Sequence, residues 1–388
     1  MIRPEVREIE EWLREVRRDF HKHPEPRFQE TRTAATVAQH LSEFGLEVTT
    51  GVGGTGVVGL FRGTSPGKTL AIRADMDGLP IEEETGADYA SCNPGFMHAC
   101  GHDAHMAMAL GAAKALALSP EPIVGQVKFI FQPAEEGGHG AREMISDGVL
   151  ENPQVDTIVA AHVAPLIPFG TVGIYLREAC ASADSFHIKI SGKGAHAAYP
   201  HLSQDPVLGG AHVITAIQSI VSRNTDPGQG LVVSVTQVQA GTATNVIPEE
   251  ITIGGTIRAL DNAVRQHAMI RLKELANSIC QAHNLRCHVS FGDGYPIMKN
   301  HEPVSRFVAK VAEEMLGDDK VIIRQPKFGS EDFAYFLERC PGAGYELGCS
   351  NEAKGITSML HTPQFDIDED LLPLGVELYL RLIEKYFQ

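Results

Sequence analysis

Three short apolar runs constrain this chain more than any other feature: "TLAIRAD", "QVKFIFQPAEE" and "DTIVAAHVAP". Each has the length of a strand, and each ends in ionisable groups: Asp75 and Asp77, then Glu135 and Glu136, then His162. Helical patterns alternate with them, notably "AHMAMALGAAKALALS". Strands that alternate with helices pack as a largely parallel α/β sheet. In such sheets the ligand crevice lies beyond the carboxyl ends of the strands. Three separate segments therefore deliver carboxylates and an imidazole to one rim.

At 388 residues the chain exceeds one small core and favours two domains. Residues 184–294 change character, reading strand ("DSFHIKISG"), helix ("PVLGGAHVITAIQSIVSR"), strand ("LVVSVTQVQA"), strand ("EITIGGTIRAL"), helix ("VRQHAMIRLKELANSICQAH") and strand ("RCHVSF"). That βαββαβ order is the ferredoxin-like pattern. The expected architecture is a discontinuous, mixed-sheet α/β domain, 1–183 and 295–388, with a ferredoxin-like domain, 184–294, inserted into it. "GVGGTG", Gly51–Gly56, fits a dinucleotide fingerprint but precedes the strand-like "VVGLFRG", so a turn between strands is expected. A net charge of −16 argues against nucleic acid and anionic membrane surfaces as partners. The charged start, "MIRPEVREIEEWLREVRRDF", reads as an amphipathic helix without an export signal, and no apolar run is long enough to span a bilayer. Seven cysteines without framework spacing suit reduced thiols and a cytoplasmic location, which leaves Cys100 available as a thiolate.

"MHACGHDAHM", Met97–Met106, concentrates coordinating groups. Cys100 and His102 suit zinc, and the histidine also suits manganese, cobalt or nickel. The pair alone is weak, because Cys-x-His arises often by chance. Glu135-Glu136 strengthens it: a hydrolytic metal site needs one acid to hold an ion and another to take a proton from water. Its competing reading is a solvated acidic turn. His162, and His361 in "SMLHTPQFDID", read singly as satisfied histidines. Together on one rim, these groups favour a metal site. Asp75, His98 and His105 are assigned to supporting that site or the helix start. His139, His187, His201 and His212 read as packing or surface residues. Ser330 in "GSEDF" reads as a helix N-cap, without chemistry.

"RADMDGLPIEE", "MHACGHDAHMA", "QPAEEGGHGA", "GKGAHAAYPH", "GTATNVIPEE", "GGTIRAL", "GSEDFAYF" and "LHTPQFDIDE" resemble, in order, the motifs of the aminoacylase and carboxypeptidase family of dinuclear metallohydrolases. The branch resembled is that of N-acyl-amino-acid amidohydrolases, including hippurate and auxin-conjugate hydrolases, over about residues 15–370. The resemblance implies two divalent metal ions (Zn, Mn, Ni or Co) held by Cys100, His102, Glu136, His162 and His361. It implies Glu135 as general base toward a metal-activated water, cleaving an N-acyl amino acid to a carboxylic acid and a free amino acid. It further implies a homodimer formed through 184–294, the inserted domain acting as lid. His196 would reach a neighbouring active site to polarise the scissile carbonyl, and Asn245 and Arg258 would hold the substrate carboxylate. Where many members carry His-x-Asp this chain has Asp75-Met76-Asp77, and His102 stands in place of a bridging aspartate. Asp77 is then expected to orient a ligand. A bridging thiolate, a bridging water and no bridge all stay open. Rival readings are a dipeptidase, a deacylase of an intermediate such as N-acetyl-diaminopimelate, and an inactive metal-containing binding protein.

Overall fold

A computed structural model describes residues 2–119 and 122–388, and these form two compact units. The first takes the chain to Ala179 and then Lys299–Gln325 and Asp332–Gln388. The second takes Cys180–Met298 and returns for Pro326–Glu331.

The first unit is built on an eight-stranded mixed sheet in the order 47–52, 56–62, 126–132, 69–75, 157–168, 342–350, 172–174, 321–323. Thr69–Asp75 runs parallel to both Gln126–Gln132 and Thr157–Pro168, so the three apolar runs point toward one rim. Every residue of Thr69–Asp75 is buried, as a strand covered on both faces requires. The helix His102–Leu118 is buried almost all round, with Leu110, Ala112 and Ala113 among its inaccessible residues; a helix apolar on every side belongs inside the fold. Glu47–Val52 and Gly56–Arg62 pair antiparallel, so "GVGGTG" is the turn of a hairpin. The "DTIVAAHVAP" run does not stop at His162: the strand continues to Pro168, and His162 projects from its middle.

The second unit holds a four-stranded antiparallel sheet in the order 231–240, 250–259, 184–191, 286–291. With helices Pro206–Arg223 and Asn262–Ala282 this is the ferredoxin-like arrangement. Its strands alternate: Phe186, Ile188 and Ile190 face the helices' core, while His187 and Lys189 are exposed. Asp205 and Asp261 start the two helices, each carboxylate accepting two backbone N–H bonds. No helix among the described residues is long and apolar enough to cross a membrane.

Candidate metal centre

The Glu135-Glu136 turn is conformationally costly. Ala134 (φ 52°, ψ 45°) and His139 (φ 59°) are left-handed without being glycine, and Gly137 (φ 77°) lies between them. Such strain persists only where the surroundings over-determine it, and it clusters at functional sites. Four side chains hold the turn. Asp77 accepts from both the Glu135 N–H (3.0 Å) and the Glu136 N–H (2.9 Å). Glu30 accepts from the Ala134 N–H at 2.9 Å, Arg27 donates to the Glu136 carbonyl at 2.9 Å, and Asp332 accepts from the Ala141 N–H at 3.0 Å. Both carboxyl groups are thereby aimed by backbone geometry rather than by side-chain rotamer alone.

The cysteine loop is fixed as closely. Gly101 (φ 82°) starts the buried helix, and a Cβ there would lie 2.4 Å from Val163 Cγ2. The His361 N–H donates to the Ala99 carbonyl at 2.8 Å, joining two loops 262 residues apart (361 − 99 = 262), and His361 is itself left-handed (φ 60°). Two of the imidazoles, His102 and His162, each have one nitrogen committed. His102 Nδ1 lies 2.8 Å from the Asp77 carbonyl, and His162 Nδ1 2.7 Å from the Val163 carbonyl. As neutral imidazoles both then present Nε2 as a lone-pair donor, the arrangement a metal-ligating histidine needs.

These groups converge. Cys100, His102 and His162 place one ligand atom each within 4.8 Å of one another; so do Cys100, Glu136 and His361, and so do His102, Glu135 and Glu136. Cys100 Sγ is 3.5 Å from His162 Nε2 and 3.3 Å from His361 Nε2. Buried His102 Nε2 has no hydrogen-bond partner, and Glu136 Oε1 has none although His361 Nε2 is only 3.0 Å away. Close approach without hydrogen-bond alignment is what donor atoms converging on a third centre produce. The electrostatics agree. The nearby Cys100 and Glu136 raise His361 to about 10. Burial pushes His102 down, but Asp75 and Cys100 outweigh it and raise it well above its ordinary value. Burial pushes the Cys100 thiol up. The pocket favours positive charge, and soft, borderline and hard donors together fit a divalent transition ion.

Of the supporting residues, Asp75 Oδ1 is 2.6 Å from His105 Nδ1, and His105 Nε2 accepts from the Val163 N–H at 3.0 Å. Burial raises Asp75, but Arg73, His102 and His105 outweigh that and hold it well below the usual carboxylate range. His98 is buried with neither ring nitrogen bonded, and burial pushes it down to about 4. Asp77, expected to orient a ligand, holds His102 through its carbonyl and both glutamates through its carboxylate.

The remaining expected site residues belong to the second unit. His196 pairs with Val246 in a small two-stranded antiparallel sheet, where the Asn245 carbonyl accepts from the Ala197 N–H at 3.0 Å. His196 Nδ1 accepts from the Ala198 N–H at 3.1 Å, so Nε2 carries the proton available for donation. Half-buried Arg258 bonds to hydroxyls, Nε to Thr256 Oγ1 and Nη1 to Ser330 Oγ, each at 3.2 Å. Ser330 caps no helix: the nearest one starts at Ala334, and the Ser330 hydroxyl serves Arg258 instead. Glu30, Arg73 and Asp332 were not singled out by motif; the acidic "GSEDF" was the one available signal for the last of them.

An α/β unit that gathers thiolate, imidazole and carboxylate donors beside a second carboxylate defines a hydrolase of metal-dependent type. The model of peptidase family M20/M25/M40 matches residues 71–385, and the chain belongs to this family. It is 40% identical to thermostable carboxypeptidase 1 of Saccharolobus solfataricus, covering 99% of this chain and 98% of that protein. It is 39% identical to N-acetyl-L-cysteine deacetylase of Bacillus subtilis, over 93% of this chain and 85% of that one. Its fold matches the crystal structure of the Bacillus subtilis YXEP protein, a dinuclear metal-binding peptidase of the M20 family, with a TM-score of 0.86, 32% identity and coverage of 98% and 99%.

Proposed function

We propose that this protein is a metal-dependent amidohydrolase that cleaves N-acyl amino acids to a carboxylic acid and a free amino acid. The observation that carries this reading is the juxtaposition of Glu135 with Glu136 and His102 inside one 4.8 Å group, beside two further groups that share Cys100. One group uses Cys100, His102 and His162; the other uses Cys100, Glu136 and His361. These groups would hold two divalent ions, with the Cys100 thiolate common to both groups. Bound ions of this kind supply Lewis acidity, lowering the pKa of water and polarising a carbonyl.

Glu135, buried but not needed as a ligand, takes the proton of the attacking water and returns it to the leaving amine. His196 donates from Nε2 to the developing oxyanion. Arg258, bonded to hydroxyls rather than to a carboxylate, and Asn245 receive the substrate's α-carboxylate. The relatives named a deacetylase and a carboxypeptidase support a common chemistry, hydrolysis of an amide. The protein acts as a homodimer through 184–294, a region with exposed apolar side chains such as Leu208 (51%), Val238 (53%) and Val246 (51%). His196 thereby serves the neighbouring subunit, and the inserted domain closes as a lid. The cytoplasm suits a Cys100 thiol that must stay reduced.

The test is hydrolysis of N-acetyl, N-benzoyl and dipeptide substrates with added Mn, Co, Ni or Zn, comparing wild type with Glu135→Gln. We expect turnover of N-acyl amino acids, and a loss of about 10²–10⁴-fold in kcat for Glu135→Gln with both ions retained. Near-normal activity in that variant overturns the base assignment. Two bound ions with no substrate cleaved favours a binding protein.

A further inference from the structure

"GSEDF" carries a residue that the chemistry above does not use. Asp332 is fully buried and is the first residue of the first unit after the chain leaves Pro326–Glu331. Its carboxylate accepts from Gln132 Nε2 (2.7 and 2.9 Å), from Arg73 Nη2 (3.1 Å) and from the Ala141 N–H (3.0 Å). Its own N–H donates to Glu135 Oε1 at 3.3 Å. These partners come from two sheet strands and from the helix that follows the glutamate turn. Arg73 is shared: Nη1 binds Asp75 at 2.7 Å, and Nε binds Gln132 Oε1 at 2.8 Å.

We infer that Asp332 is a positioning residue for Glu135, resting on the reading of Glu135 as the base. A general base must sit within hydrogen-bond reach of the proton it removes, and a carboxylate has a free torsion that would let it swing away. The donor that stops this swing is a backbone N–H, and the backbone is held because the Asp332 carboxylate is anchored on three sides. The Ala141 bond fixes the same turn from its far end, so one aspartate restrains both the glutamate's side chain and the loop bearing it. Ser330, two residues earlier, accepts from Arg258 within the second unit. A single short segment therefore bears contacts to the proposed base and to the proposed carboxylate-binding arginine.

The experiment measures kcat, KM and metal content for Asp332→Asn, Gln132→Met, Glu135→Gln and Asp332→Asn/Glu135→Gln in the metal-loaded enzyme. Gln132→Met loosens Asp332 while leaving its charge opposite Arg73, and it serves if Asp332→Asn does not fold. We expect Asp332→Asn or Gln132→Met to lower kcat by about 10–100-fold, with KM within about threefold and both ions retained. Because Asp332 acts through Glu135, the double variant should be no slower than Glu135→Gln alone. A multiplicative loss in the double variant, or unchanged kcat in both the Asp332 and Gln132 variants, overturns the inference. Normal turnover by Glu135→Gln would instead remove the reading on which it rests.

Discussion

Ala134 shows how far this site departs from what a residue would choose. A left-handed alanine costs roughly 1–2 kcal/mol, and here that cost buys the direction of the glutamates that follow. Ala134→Gly should raise stability by about 1 kcal/mol in urea unfolding, since glycine adopts this conformation freely. Activity should fall in the same variant, because the turn becomes free to relax. Cys100→Ser should lose one or both ions on dialysis, replacing a soft thiolate by a hydroxyl that binds transition ions poorly. The convergence of Cys100, Glu135 and Glu136 on one place was legible because donor chemistry and local spacing mark them. Glu30 and Asp332 were not, because their partners lie 104 and 197 residues away, at Ala134 and Glu135, and no local pattern encodes that meeting. Ser330 misled for the related reason that an N-cap and a hydroxyl acceptor use the same side chain.

The helix Glu10–Lys22 reaches the Cys100–Asp103 segment through a buried ionic cluster. Arg17 Nε donates to Asp103 Oδ2 at 2.7 Å, and the same oxygen lies 2.7 Å from His21 Nδ1. Arg17 also pairs with Asp366 at 2.8 Å, and His21 Nε2 lies 3.2 Å from Glu83. Asp103 follows His102 directly, so this cluster fixes the first turn of the buried helix. Asp103→Asn leaves charge partly unpaired in the interior and should cost about 3–5 kcal/mol. Burial raises Asp103, but Arg17 and His21 outweigh it and hold it well below the carboxylate range. Its contribution is therefore complete above about pH 4, its unfolded value, and fades as pH falls through the folded one. For His21, burial and Arg17 push down, while Asp103 and Glu83 outweigh them and raise it. That contribution is complete below about pH 6.5 and fades as pH rises through the folded value. Urea midpoints should thus decline on both sides of a window near pH 4–6.5, and His21→Gln should flatten the alkaline side. At this scale the elements themselves were readable from periodicity, including the ferredoxin-like order. The extension of the His162 strand to Pro168 was not, because Pro165 and Pro168 mimic a strand end.

Across the whole molecule, the proposed function divides the chemistry between subunits, which mixing can test. Glu135→Gln and His196→Ala are each expected to be inactive as homodimers. Equal amounts, exchanged through reversible dissociation, should recover about a quarter of wild-type activity, since half the dimers then contain one intact site. No recovery, with exchange verified by mass, would place His196 in service of its own chain. Leu208→Glu together with Val238→Glu should yield monomers by sedimentation that retain metal but lose turnover.

The path of the chain has a further consequence. It passes from one unit to the other at 179/180, back at 298/299, out again at 325/326 and home at 331/332. Evolution or an engineer exchanging the inserted module among relatives cannot do so with a single splice, because the hexapeptide Pro326–Glu331 must travel with it. Chimaeras that transplant 180–298 alone should therefore strand Arg258 beside a foreign Ser330 segment, and those that carry both pieces should be the ones that inherit the donor's substrate preference.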